Sequence, residues 1–180
     1  RENKPHIGIF GRCNSGKSTL LNFIVGADTA IVSPEKGTTT DVVRRSYEIL
    51  DFAPVVFIDT AGIDDCGEVG DKRVARTLET VSQIDLALLV FTEWGGQEEE
   101  LARLLRGASV PFIPVMNRVG GVEDKPSEAR AAKFTKSEAV SLDAAAGDTA
   151  SHAALIERIK QSLPEGSYIA PSMFSGMVSE

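Results

Sequence analysis

One segment constrains the fold of this chain more than any other: Gly11-Arg12-Cys13-Asn14-Ser15-Gly16-Lys17-Ser18. A short apolar run at 7–10 precedes it, and apolar residues recur at helical spacing over 19–25. The pattern G-x-x-x-x-G-K-S at a strand-to-helix turn is typical of a phosphate-binding loop, because glycine lets backbone N–H groups approach the phosphate. The positive end of the following helix faces the same anion. The alternative is a glycine turn that only joins a strand to a helix.

The side chains of this segment predict how it holds a nucleoside triphosphate. Lys17 is expected to reach the β- and γ-phosphates, and the Ser18 hydroxyl is expected to bind Mg²⁺. The residues predicted to surround the phosphates are Asn14, Ser15, Gly16, Lys17, Ser18 and Thr19.

Composition excludes several other kinds of site. With 180 residues and a formal net charge of −7, the chain fits one domain without a broad basic surface, so we predict neither nucleic acid nor membrane as a partner. Cys13 and Cys66 are predicted to be free thiols in a cytoplasmic protein. Together with His6 and His152 they do not form a zinc or iron–sulfur ligand set, so no iron–sulfur ligands are expected within this chain.

Alternating apolar strands and amphipathic helices predict the fold class. We expect an α/β, three-layer P-loop nucleoside triphosphatase fold, with a mostly parallel six-stranded sheet and helices on both faces. Residues 120–130 are predicted to be loop-like, with a short helix as the alternative. The domain is predicted over 1–164, with 165–180 as a C-terminal tail or a linker to absent domains. Strands are expected near 6–10, 42–51, 54–58, 86–91, 110–116 and 134–142.

A second site motif, Asp59-Thr60-Ala61-Gly62, follows one of the buried strands. An aspartate at the carboxyl end of such a strand can hold Mg²⁺ through water, opposite Ser18. Gly62 can present its backbone N–H to a γ-phosphate and let the following loop move. The alternative is an ordinary strand-to-loop turn.

Together with Gly37-Thr38-Thr39-Thr40-Asp41, these segments resemble the first three motifs of translation-factor-class small GTPases, and of their Era and MnmE branch in particular. The resemblance implies binding of GTP and GDP with Mg²⁺. It also implies that Thr39 joins the Mg²⁺ shell in the triphosphate state, with Thr38 as the alternative. Lys17, Thr39 and Gly62 are the implied catalytic residues.

A narrower resemblance covers residues 58–70, which are similar to the HydF family of GTPases that mature [FeFe]-hydrogenase. It implies a nucleotide switch that contacts other hydrogenase maturation proteins or the hydrogenase, with a homodimer among the implied assemblies. Two alternatives stay open. One is an RNA- or ribosome-associated GTPase of the Era and MnmE type. The other is a nucleotide-binding module with relaxed base specificity.

Two positions suggest how hydrolysis proceeds. Asn14 matches the asparagine that helps bind K⁺ in potassium-activated members of this branch, although it could simply stabilise the loop. Ile63 lies where Ras-like enzymes carry a water-orienting glutamine, so we predict slow hydrolysis. Weak candidates for the missing group are Asp64, Asp65 and Glu68, which could equally be solvated charges.

The base-binding motif departs from the family pattern Asn-Lys-x-Asp, since the chain reads Asn117-Arg118-Val119-Gly120. Asn117 is retained, and the Arg118 stem can cover the base as lysine does. Gly120 has no carboxylate for the guanine N–H groups, which predicts a loss of roughly 2–4 kcal/mol of guanine preference unless Glu123 or Asp124 substitutes. Ser141-Leu142 resembles the fifth motif, whose backbone contacts the guanine oxygen.

Overall fold

The computed structural model describes residues 4–26, 43–60 and 70–168. The strands are β1 (His6–Gly11), β2 (Val43–Ile49), β3 (Ala53–Asp59), β4 (Leu86–Phe91), β5 (Phe112–Asn117) and β6 (Val140–Leu142). The helices are α1 (Lys17–Val25), α2 (Gly70–Val81), α3 (Gly96–Gly107), α4 (Lys125–Thr135) and α5 (Thr149–Ser162).

The six strands form one sheet in the order β2-β3-β1-β4-β5-β6. β2 runs antiparallel to β3, and the other neighbouring strands are parallel. The predicted mostly parallel six-stranded sheet is therefore confirmed. Because parallel strands end at the same edge, the carboxyl ends of β1, β3, β5 and β6 all lie at that edge of the sheet.

Helices cover both faces of this sheet, and β4 shows the consequence. All six of its residues are buried, since alternate side chains enter different cores. Leu88 joins the core formed with α1 and α5, whereas Leu89 joins the core formed with α2, α3 and α4. A strand covered on both sides reads as a continuous apolar run, which is why the sequence predicts it well.

The segment 120–142 contains a longer helix and a shorter strand than predicted, since the prediction is a loop with at most a short helix, followed by a long strand. Residues 125–135 form α4, and β6 contains only Val140–Leu142. Asp124 caps this helix by accepting a hydrogen bond from the Ser127 N–H, and Pro126 lies in its first turn. Both start signals are present in the sequence, but one face of α4 is only weakly apolar, so the segment lacks a clear helical periodicity.

Pro114 lies in the middle of β5, opposite Leu89 of β4. Proline cannot donate a hydrogen bond to a strand ladder. β6 pairs only with residues 115–117, so at Pro114 the strand β5 has a neighbour on the β4 side alone. The proline is therefore tolerated because the second ladder begins one residue later.

The residues after α5 are described as far as Tyr168, whose ring lies 4.5 Å from that of Phe52. The rest of the predicted tail, 169–180, lies outside the described residues. Over 4–26, 43–60 and 70–168, none of the helices has the length and apolar character needed to cross a bilayer.

We expect Ser127→Ala to lower the free energy of unfolding by about 1–3 kcal/mol, because it leaves a buried N–H group without an acceptor. Ser127 is fully buried, and its Oγ accepts from the backbone N–H of Trp94 at 2.9 Å while donating to Asp124 at 2.9 Å. Urea denaturation measures the change. Ser151→Ala is the matched control, since Ser151 makes the same side-chain bond at an exposed helix start. Equal losses in both variants would contradict the prediction.

Candidate nucleotide site

The phosphate loop, defined here as residues 11–18, joins the end of β1 to the start of α1. Gly16 has a φ of 95°, a left-handed conformation that favours glycine. A Cβ atom at this position would also collide with the Nδ2 atom of Asn117. Glycine is thus required at position 16 for two reasons: the left-handed backbone conformation and the close approach of the Asn117 side chain from β5.

The start of α1 is suited to an anion. Within the part of the chain that the structure describes, no side chain caps this helix end, and its first turn contains no acidic residue. Ser18 and Thr19 are exposed on that turn. The positive end of the helix is therefore not neutralised by these residues, and it can attract a phosphate.

Lys17 places a positive charge over the same loop. Its side chain is only 4% exposed, and its Nζ donates to the carbonyl oxygens of Gly11 at 2.7 Å and Arg12 at 2.8 Å. These two carbonyl acceptors fix the position of the ammonium group. The arrangement offers a fixed cation beside the helix end, which is the requirement for binding a polyphosphate.

The two predicted Mg²⁺ ligands in the described residues lie in direct contact. The Ser18 Oγ donates to Oδ2 of Asp59 at 3.0 Å, and Asp59 is buried at the end of β3. The parallel register pairs Ile9 of β1 with Asp59, which brings the strand end beside the phosphate loop. A hydroxyl and a carboxylate oxygen at one point are ligands that Mg²⁺ prefers, so the residues fit this ion.

Asn117 connects the phosphate loop to the base side of the site. Its Nδ2 donates to the carbonyl oxygen of Ser15 at 3.0 Å, and its Oδ1 accepts from the backbone N–H of Ala144 at 3.2 Å. Asn117 is buried, and so is Ser15, whose Oγ has no hydrogen-bond partner in the described part of the chain. The Asn117 side chain, at the end of β5, thus connects the loop that follows β1 to the loop that follows β6.

The other predicted site residues that the structure describes are Asn14, Arg118, Ser141 and Leu142. Asn14 is exposed at the loop tip with a φ of 66°. The Nε of Arg118 is buried without a hydrogen-bond partner among the described residues, while its backbone N–H donates to the carbonyl oxygen of Leu142 at 2.6 Å. Ser141 and Leu142 lie in β6, and the Leu142 side chain is buried in the core. The backbone N–H that contacts Asn117 comes from the loop after them.

Sequence reasoning missed an ion pair that holds the phosphate loop from outside. The Arg12 guanidinium donates to both carboxylate oxygens of Glu98, each at 2.7 Å, and also to Glu93 at 2.9 Å. The hydrogen bond to Glu98 raises the pKa of Arg12 above its usual value. Glu98 is fully buried near the start of α3 and also accepts from the Gly95 N–H at 2.9 Å. An isolated arginine and an acidic helix start give no signal that they pair.

Cys13, also in the phosphate loop, is disulfide-bonded. The prediction of a free thiol is therefore wrong at this position, because cysteine spacing in the sequence does not show which thiols the fold brings within bonding distance.

Several predicted residues lie outside the described part of the chain, and their roles stay predictions. They belong to the second motif and to the loop after Asp59. These residues are Thr38, Thr39, Gly62, Ile63, Asp64, Asp65, Cys66 and Glu68.

Comparison with known proteins identifies the family. Residues 6–118 match the 50S ribosome-binding GTPases (MMR_HSR1). The chain is 32% identical over 173 residues to GTPase Era of Geobacter metallireducens, covering 92% of this chain and 57% of that protein. It is 38% identical over 117 residues to the tRNA modification GTPase MnmE of Chromobacterium violaceum, covering 63% of this chain and 26% of that protein.

A solved structure agrees with these matches. Era in complex with MgGDPNP and part of 16S ribosomal RNA has a TM-score of 0.69 and 26% sequence identity, covering 96% of this chain and 61% of that one. The chain thus spans only part of the length of each relative.

These relatives correct one prediction and identify the chain. The expectation of no nucleic-acid partner is contradicted, since an Era protein is solved with ribosomal RNA and MnmE is named for tRNA modification. The prediction from net charge was wrong because that charge covers only the residues of this chain, whereas the relatives extend well beyond the matched part. The chain belongs to the 50S ribosome-binding GTPase family, as a P-loop GTPase domain of the Era, Der and MnmE kind.

Proposed function

We propose that this domain binds GTP with Mg²⁺ and hydrolyses it to GDP and phosphate as a molecular switch in the cytoplasm. The observation that carries the proposal is the meeting of Lys17, Ser18 and Asp59 at the uncapped start of α1. A fixed ammonium group, a hydroxyl and a carboxylate at one strand edge match the requirements of a triphosphate and its metal ion.

In this proposal each group has a defined task. Lys17 binds the β- and γ-phosphates, the phosphate-loop N–H groups from Asn14 to Thr19 surround them, and Gly62 contacts the γ-phosphate. Ser18, Asp59 and Thr39 hold Mg²⁺, which supplies positive charge at the phosphate oxygens when bound. On the base side, Asn117, Arg118 and the strand end at Ser141 and Leu142 enclose the purine.

We further propose that hydrolysis is slow and that K⁺ accelerates it. Asn14 is exposed at the tip of the phosphate loop, where an added cation would lie beside the phosphates. Ile63 has no polar atom with which to orient water, so Asp64, Asp65 or Glu68, or a partner protein, must do so.

Binding of fluorescent GDP tests the proposal. Ser18→Ala is expected to weaken Mg²⁺-dependent binding about 10- to 100-fold, because it removes a metal ligand. Ser82→Ala is the matched control, since Ser82 is an exposed hydroxyl at the end of α2. Wild-type protein that fails to bind GDP would refute the proposed function, and a Ser18→Ala variant with unchanged Mg²⁺ dependence would refute the assigned ligand.

The relatives favour an RNA- or ribosome-associated role for the whole protein. Era is solved with 16S ribosomal RNA and MnmE is a tRNA modification GTPase. The proposal is that nucleotide state in this domain controls contacts with RNA made by the full-length protein. Recovery of ribosomal RNA or tRNA with the GTP-bound full-length protein, and less with the GDP-bound form, tests it.

A second candidate is a HydF-type role in [FeFe]-hydrogenase maturation, favoured by the sequence of residues 58–70. In that case nucleotide state controls contacts with the other maturation proteins. Activation of apo-hydrogenase by the full-length protein, with no RNA recovered, would select this candidate over the first.

A further inference from the structure

The loop that begins at Asn117 lacks a carboxylate where a guanine base needs one. Guanine presents a ring N–H and an exocyclic amine side by side, and a carboxylate accepts from both. Gly120 has no side chain, its φ is 67°, and a Cβ built on it would meet no atom of the described residues within 4 Å. The neighbouring Val119 and Val122 are apolar and exposed. This turn therefore supplies open space without an acceptor.

Of the two acidic residues that follow this turn, Asp124 is already engaged by other groups. Asp124 uses both carboxylate oxygens at the start of α4, accepting from the Ser127 N–H at 3.0 Å and from the Ser127 Oγ at 2.9 Å. Those bonds, first of all the one from the backbone N–H, hold the pKa of Asp124 below its usual value. Glu123 is exposed. Engaging Asp124 with a base would uncap the helix.

Asp143 is better placed, because both of its flanking peptide groups bond to the base-binding motif. The carbonyl oxygen of Leu142 accepts from the Arg118 N–H at 2.6 Å, and the Ala144 N–H donates to Asn117 Oδ1 at 3.2 Å. The register pairs Asn117 with Leu142, the last residue of β6, so Asp143 is the first residue after that strand, as Arg118 is the first after β5. The backbone thus fixes Asp143 at the same strand edge as the motif that lacks its acid.

The carboxylate of Asp143 is oriented and retains acceptor capacity. Its Oδ1 accepts from the N–H groups of Ala145 at 3.2 Å and Ala146 at 3.3 Å. Its Oδ2 has no donor among the residues that the structure describes, and the side chain is half-buried. Two backbone bonds fix one oxygen, and the other remains to accept from a ligand.

We propose that Asp143 is the residue that selects guanine, in place of the side chain absent at Gly120. The inference rests on the proposed function, since it concerns the base end of the same nucleotide site. Adenine presents an unprotonated ring nitrogen at the corresponding position and no neighbouring amine, so a carboxylate there repels it. Asp143 is a specificity-determining residue that contacts the base and has no part in the phosphate chemistry.

Competition against fluorescent GDP, with GDP, XDP and ADP as competitors, tests the assignment. Wild-type protein is expected to prefer GDP over both. Asp143→Asn is expected to lower GDP affinity by about 10- to 100-fold and to shift the preference toward XDP, because the amide N–H donates to the xanthine carbonyl. Glu123→Gln is the matched control and is expected to keep the wild-type ratio.

A partial loss of folding would weaken all three nucleotides alike, so the ratio is the diagnostic quantity. A second variant, Asp143→Ala with Gly120→Asp, returns a carboxylate to the open space at 120 and is expected to restore GDP preference. An unchanged GDP-to-XDP ratio in Asp143→Asn would overturn the inference. Equal affinity of the wild type for GDP, XDP and ADP would overturn it too, while nucleotide binding itself would stand. No nucleotide binding at all would instead refute the proposed function.

Discussion

Replacing Arg12 by methionine is expected to lower the free energy of unfolding by about 3 kcal/mol, because it leaves a buried carboxylate without its counter-charge. The Glu98 side chain is only 1% exposed, whereas that of Arg12 is 31% exposed. Removing Arg12, the more exposed partner, therefore destabilises the fold more than the exposure of Arg12 suggests, because the buried Glu98 carboxylate is left without its counter-charge. We place the value at the lower end of the range for buried pairs because water reaches Arg12. Urea denaturation at neutral pH measures it.

Two further variants decide whether the buried charge is the cause. Arg103→Met removes a comparable arginine from an exposed pair with Glu99 at 3.5 Å, and it is expected to cost less than about 1 kcal/mol. Glu98→Gln in the Arg12→Met background removes the orphaned charge and is expected to recover a large part of the loss. If the double variant is no more stable than Arg12→Met alone, the lost packing of the arginine stem explains the effect and the electrostatic account is wrong.

Much of the fold was predictable from the sequence, because the patterns that indicate it lie within short segments of the chain. β4 is one apolar run, and the phosphate loop carries its glycines, lysine and serine within eight residues. The pairing of Ser18 with Asp59 also followed, since parallel strands place their carboxyl ends at one edge. Such features can be predicted from the spacing of residues in the sequence and from the sheet topology that this spacing implies.

The rest depended on contacts between distant residues. Arg12 and Glu98 are 86 positions apart, and Asn117 and Ser15 are 102 apart. Neither contact has a periodicity or spacing that a sequence can show. The fifth motif was expected at Ser141-Leu142, yet the N–H that contacts Asn117 belongs to Ala144, in the loop after β6. The end of a strand can be predicted only to within one or two residues, so the backbone N–H that makes a contact is easily assigned to the wrong residue.

Gly16→Ala is expected to disrupt folding and nucleotide binding together, because position 16 combines two separate demands. A non-glycine residue at a φ of 95° stores roughly 1–3 kcal/mol of strain. The added Cβ would also collide with Nδ2 of Asn117, which must then give up its bond to the Ser15 carbonyl. Loss of that buried bond adds about 1–3 kcal/mol. The two effects together predict a loss of roughly 2–6 kcal/mol in urea denaturation.

Gly26→Ala separates the two contributions to the Gly16→Ala effect. Gly26 has a φ of 72°, but a Cβ there would meet no atom of the described residues within 4 Å, so this variant carries backbone strain without a collision among them. We expect it to lose about 1 kcal/mol and to bind GDP normally. Asn117→Ala removes the collision partner, so adding Gly16→Ala in that background is expected to cost little more than Gly26→Ala. A full-sized loss in the double variant would mean that strain in the phosphate loop alone requires glycine, and that Asn117 does not fix the loop from the base side.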